Sequence, residues 1–150
     1  MTIKERIEQD LKQALLGGDK VKVTTLRGLK SAILNVEIEK GARDKGLGDD
    51  EVLTVLAKES KKRQESADLY KQGGNAEREQ AELTEKQLID DYLPAQLSEA
   101  ELIRLIDETM ASLGEVTPQQ MGQIIGKVKQ QAGASADGAL IARLVKERLK

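Results

Sequence analysis

Tyr92-Leu93-Pro94-Ala95-Gln96-Leu97-Ser98 is the stretch that divides this chain, and the two sides of it read differently. Proline has no N–H to give a helix and its ring clashes with the preceding turn, so the periodic segment before it stops at Pro94. Ser98, followed three residues later by Glu101, is a capping-box pattern that opens a new helix. Upstream, Ala81, Leu88, Ile89 and Tyr92 form one helical stripe, and Gly73-Gly74-Asn75 is a turn that precedes it. Before that turn runs a helix starting at Asp49 or Asp50, with Val52, Val55 and Leu56 on one side. Its middle, from Ala57 to Ser66, carries almost no large apolar residue and has Glu and Lys at spacings that suit a solvated face. Ala67 and Tyr70 resume the buried stripe. A helix expected to pack on three neighbours is here short of apolar residues, so either it projects from the others or a partner covers it.

Further out, the segment from Gly41 to Gly48 reads as a charged surface loop. It is preceded by a stripe of Val23, Leu26, Leu29, Ile33 and Val36. The first stripe is Ile3, Ile7, Leu11, Ala14 and Leu15, opened by a Thr2/Glu5 capping box and closed by Gly17-Gly18, with Asp19 placed to cap the second helix. Downstream of the hinge the helices shorten. Leu102, Ile103, Ile106, Met110 and Leu113 precede Gly114. Thr117-Pro118-Gln119-Gln120 opens Met121, Ile124, Ile125 and Val128. Asp137, after a run of small residues, is placed to cap Leu140, Ile141, Leu144, Val145 and Leu149. No sustained period-two alternation occurs. The expectation is an all-α chain: an N-terminal four-helix antiparallel bundle over 1–94 and a small three-helix tail domain over 95–150.

Composition narrows the chemistry. Among 150 residues there is no His, Cys, Trp or Phe, and the aromatics are Tyr70 and Tyr92. Thiol and imidazole nucleophiles, Ser-His-Asp relays, His/Cys zinc sites and disulfides are excluded, as are most base-stacking platforms. No metal and no cofactor is expected. The N-terminus is charged where a signal peptide needs an apolar run, and no stretch approaches membrane-spanning length, so the expected setting is cytoplasmic with no membrane contact. Net charge is −2, against a binder driven by bulk phosphate attraction. The charge is uneven: Lys20–Lys45 holds seven basic and three acidic residues, Gln72–Ala100 two basic and seven acidic.

Several stretches carry a family resemblance. The hinge Tyr92–Ser98 resembles the YLPxQLS signature of the GatB/YqeY family. The similarity extends upstream through Leu26-Arg-Gly-Leu-Lys30-Ser-Ala-Ile-Leu-Asn35, Val55-Leu-Ala-Lys58-Glu59 and Arg63-Gln-Glu65-Ser66. Downstream it takes in Met121-Gly122-Gln-Ile-Ile-Gly126, Ala136-Asp137-Gly138 and Leu144–Leu149. In order and length the chain resembles the free-standing YqeY-like proteins. The resemblance implies a helical bundle followed by the tail domain found at the C-terminus of the GatB subunit of the glutamyl/aspartyl-tRNA amidotransferase, a tail associated with holding tRNA. It also implies carbon–nitrogen ligase activity with glutamine as amido-N-donor, which this residue inventory supports only in complex with partner subunits: Cys is absent, and Ser60-Lys61 lacks the pattern of an amidase Ser-Ser-Lys site. Many relatives carry lysines in the loop before the last helix, whereas here Gln131–Ser135 has none, leaving Lys127 and Lys129 to substitute if they face the same way.

Two groups of residues are therefore candidates. The tail group, for tRNA or a tRNA-handling complex, is Lys127, Lys129, Arg143 and Lys146 with Gly122, Gly126, Asp137 and Gly138. Gly122 and Gly126 share a helix face and offer a smooth surface to a nucleic-acid backbone, although tight helix–helix packing is the favoured reading of that spacing. Asp137-Gly138 presents helix N-terminal amides suited to a phosphate, with the Asp side chain competing for them as a cap. The second group is a basic face of Arg27, Lys30, Lys58, Lys62 and Arg63, against which stands an ordinary solvated helix surface. Asp90-Asp91 point about 100° apart on a helix and do not form an acid/base dyad. The preferred reading is an accessory protein without a self-sufficient active site; a protein–protein adaptor using the third helix and the hinge is the alternative from another class.

Overall fold

The computed structural model describes residues 1–149. They form seven α-helices and two 3-10 turns, with no strand among them. The chain is all-α, and it divides into two compact units, Met1–Leu93 and the chain from Pro94 onward.

In the first unit, α1 (Ile3–Gly17), α2 (Lys20–Glu39), α3 (Asp49–Gln72) and α4 (Ala76–Asp90) follow one another. Local chemistry sets their ends. Thr2 accepts from the Glu5 amide while Glu5 accepts from the Thr2 amide, and Gly18 adopts φ +71° to close α1, a conformation in which a Cβ would be strained. Asp19 and Asn75 cap α2 and α4 through their side-chain oxygens. The core joins Ile7 and Leu11 of α1, Leu26, Leu29 and Ile33 of α2, Val52, Val55 and Leu56 of α3, and Ile89 and Tyr92.

That core stops at Leu56 on α3 and resumes at Ile89 on α4. Between them α3 and α4 pack chiefly along one another, and polar ties replace aliphatic contacts. Ser60 donates to Asp90 at 2.5 Å, Asp90 accepts from Lys86 at 2.6 Å, and Arg63 lies among Glu59, Glu82 and Glu85. This accounts for the apolar-poor middle of α3.

Another charged tie anchors the loop after α2. Glu37, 4% exposed, accepts from Lys4 Nζ at 2.8 Å and from the Leu47 amide at 3.0 Å, and these donors hold its carboxyl below the usual range. Leu47 is thereby seated in the core. At the end of the unit the Tyr92 hydroxyl donates to Asp10, with Arg6 over the ring at 5.1 Å. Burial first, and then the Asp10 carboxylate, push the Tyr92 phenol well above its usual value.

The second unit holds α5 (Glu99–Leu113), α6 (Met121–Ala132) and α7 (Gly138–Arg148). Leu102, Ile106, Ile124, Val128, Ile141, Leu144 and Val145 form its core. Ser98 caps α5 by accepting from Glu101. The Thr117/Gln120 capping box closes a separate 3-10 turn, Pro118–Gln120, ahead of α6, rather than the first turn of α6 itself. The hinge sequence staples this unit together: the Leu97 amide donates to the Ser135 carbonyl at 2.8 Å and the Gln96 side chain to the Ala134 carbonyl at 2.9 Å. No helix among the described residues is long and apolar enough to cross a membrane.

Candidate nucleic-acid interface

The tail candidates sit on α6 and α7. α6 buries Ile124, Val128 and Ala132, which leaves Gly122 and Gly126 on an exposed face. A Cβ added at either would meet nothing within 4 Å. The spacing therefore does not serve helix packing, and the favoured packing reading is corrected: these glycines lie open to solvent. Lys129, one turn further along the same face, reaches to the start of α7. A Cβ at Gly138 would stand 2.8 Å from Lys129 Cε and 3.1 Å from its Nζ, so glycine there makes room for the lysine stem. The ammonium lies beside the N-terminal turn of α7, where amides and the helix dipole favour an anion. Asp137 accepts from the Ala139 amide at 3.3 Å and so caps that end.

Lys127 is two residues from Lys129 on one continuous helix, about 160° away around the axis, so the two do not face the same way. Arg143 is held between Glu99 at 3.7 Å and Glu147 at 3.2 Å, partly neutralised on the exposed surface. Lys146 is exposed and shares a helix face with Gly138 and half-buried Ala142 at i, i+4, i+8. Gly122, Gly126 and Lys129 thus line one exposed face of α6, and Gly138, Ala142 and Lys146 one face of α7, with the Lys129 side chain beside Gly138.

The second group is drawn to different neighbours. Lys30 pairs with Glu8 on α1 at 2.5 Å, and that ammonium lowers the Glu8 carboxyl below its usual range. Arg27 stands with Lys30 on the wall of the groove between α1 and α2. Arg63 is half-buried among three carboxylates, its Nε 3.0 Å from Glu85. Lys62 pairs with Glu59 at 3.2 Å, and Lys58 is exposed. Ser60 is buried with its hydroxyl committed to Asp90, a tie between helices and not a nucleophile open to substrate. No group of three or more acidic side chains suited to a metal ion occurs among the described residues.

The sequence matches the Yqey-like protein family over residues 4–149. The chain belongs to that family. Among its relatives are three proteins, each called altered inheritance of mitochondria protein 41, mitochondrial. That of Eremothecium gossypii is 38% identical over 89 residues, 59% of this chain and 48% of the relative. That of Kluyveromyces lactis is 30% identical over 126 residues, 81% and 66% of the two chains. That of Lachancea thermotolerans is 29% identical over 144 residues, 93% and 75%. The Yqey-like chain thus spans about half the length of the first relative and under two thirds of the second. All three are named as mitochondrial proteins, which overturns the expectation of a cytoplasmic setting. That expectation rested on a charged N-terminus set against the apolar run of a secretory leader, a comparison that does not bear on mitochondria.

Proposed function

We propose that this Yqey-like protein is a tRNA-associated accessory protein that engages nucleic acid through the strip on α6 and α7, without a stand-alone active site. In this reading the four helices before Pro94 act as an antiparallel bundle domain and the three after it as a tail domain of the GatB type. The observation that carries the reading is the open Gly122/Gly126 face. Gly126, inside an exposed helix, costs about 1 kcal/mol relative to alanine and has no packing role to offset that cost, and Gly122 in the first turn faces the same open space. A surface that must admit a backbone closely gives both glycines a role, and Lys129 stands at its end to meet a phosphate.

The near-neutral overall charge keeps such binding modest and strongly dependent on salt. Titrating the full chain against unmodified tRNA by fluorescence anisotropy, from low to physiological salt, tests the proposal. Saturable binding that weakens as salt rises, and weakens further in Lys129→Glu, is expected. No binding at low salt would contradict it.

A further inference from the structure

α1 and α2 leave between them an open groove of ≈660 Å³. Ile7, Leu11 and Ile33 form its floor, while Leu15 and Leu34 stand along it 50% and 40% exposed. Ile38, 54% exposed and one turn on from Leu34, extends the apolar edge beyond the groove. Leu11 with Leu15, and Leu34 with Ile38, are spaced i, i+4. Two packed helices therefore present parallel aliphatic ridges, the surface into which the apolar edge of a third helix fits.

The charges say which third helix. Three cations, Lys4, Arg27 and Lys30, and two acids, Glu8 and Glu37, line the groove. Both acids are spent, Glu8 on Lys30 and Glu37 on Lys4. Arg27 has no ion-pair or hydrogen-bond partner among the described residues. A second copy docked by a two-fold axis would lay this patch on itself, and the patch has no uncommitted carboxylate to offer Arg27, since Glu8 and Glu37 are both paired. A nucleic-acid backbone would press its phosphates onto exposed leucines. A carboxylate beside an aliphatic edge satisfies both features. We propose that the α1/α2 groove docks an amphipathic helix of a partner protein whose apolar edge is flanked by carboxylates, one of them pairing with Arg27.

The test uses the full chain and two stapled helical peptides bearing leucines at i, i+3, i+4 and i+7, one flanked by glutamates and the other by lysines. The glutamate peptide is expected to bind saturably, and to lose at least about tenfold in affinity to Arg27→Glu and to Leu15→Glu. The lysine peptide is expected to bind weakly to the unaltered chain and to gain on Arg27→Glu, a gain that a misfolded variant would not show. Leu15 is half-exposed, so Leu15→Glu is expected to keep its circular dichroism. Absence of saturable binding, equal affinity for the two peptides, or indifference to Arg27→Glu would overturn the proposal. So would a dimer in sedimentation that Leu15→Glu abolishes, since the face would then belong to a second copy. tRNA binding by the tail strip is expected to be unchanged in both variants.

Discussion

Replacing Glu37 by alanine is expected to release the Gly41–Gly48 loop from the first unit. The Glu37 carboxylate accepts the Leu47 amide at 3.0 Å and Lys4 Nζ at 2.8 Å. Removing it orphans a buried N–H, a loss of about 1–3 kcal/mol. The Lys4 side chain is 41% exposed and regains water, so its share is at most about 1 kcal/mol. Relief from desolvating a carboxylate works the other way, and the net expectation is about 2 kcal/mol of destabilisation. Glu37→Gln keeps an acceptor for the Leu47 amide and is expected to cost under about 1 kcal/mol. Both tyrosines precede Pro94, so tyrosine fluorescence in a urea titration reports on the first unit alone. The native carboxyl is held below its ordinary value, chiefly by Lys4. Its contribution is therefore present above the ordinary carboxylate range and is lost as pH falls through the lowered folded value. Glu37→Gln abolishes that part of the acid sensitivity. A midpoint for Glu37→Ala within about 0.5 kcal/mol of the parent, the range of an ordinary surface change, would refute the reasoning.

Gly126→Ala is expected to stabilise the second unit by about 0.5–1 kcal/mol, because the helix gains and no atom lies in the way; a loss measured by thermal denaturation would mean that the site packs after all. Gly138→Ala places a Cβ against the flexible end of Lys129, so thermal stability should change little while tRNA affinity falls as the ammonium is displaced. Tyr92→Phe loses the hydrogen bond to Asp10 and is expected to cost about 1 kcal/mol in urea; ultraviolet titration of the parent should show Tyr92 ionising well above the usual tyrosine range, a step that Tyr92→Phe removes.

Helix starts and stops were legible because each depends on a few adjacent residues. Thr2/Glu5, Gly18, Asp19 and Ser98 act locally, and their patterns stand in the sequence as they act in the structure. The core stripe was legible wherever period and burial coincide, as at Ile7, Leu26, Leu29 and Ile33. Leu15 broke the pattern: it has the period of the α1 stripe yet lies half-exposed, since no neighbouring helix covers that side. Glu37 broke it in the opposite sense, a carboxylate buried because two donors distant in sequence converge on it. Such convergence has no local signature. In the candidate site, helix spacing placed Gly122 and Gly126 on one face but not which face of the unit that is, and the packing choice therefore went the wrong way. The opposed directions of Lys127 and Lys129 follow from their two-residue spacing once one unbroken helix spans both. The commitment of Arg143 to Glu99, and of Lys30 to Glu8, required the fold.

The central claim is that nucleic acid meets this protein on the α6/α7 strip and not on the lysines of α3. The direct measurement is the tRNA affinity and salt slope of Gly126→Leu and Lys129→Glu beside those of the double variant Lys58→Glu/Lys62→Glu. Gly126→Leu fills open space and should leave the fold intact while blocking the strip; Lys129→Glu should weaken binding and lower the salt slope by about 0.7–0.9, the share of a single neutralised phosphate. The α3 variant is expected to bind within a small factor of the parent. Full affinity in both strip variants, with weakened binding in the α3 variant, would contradict the account.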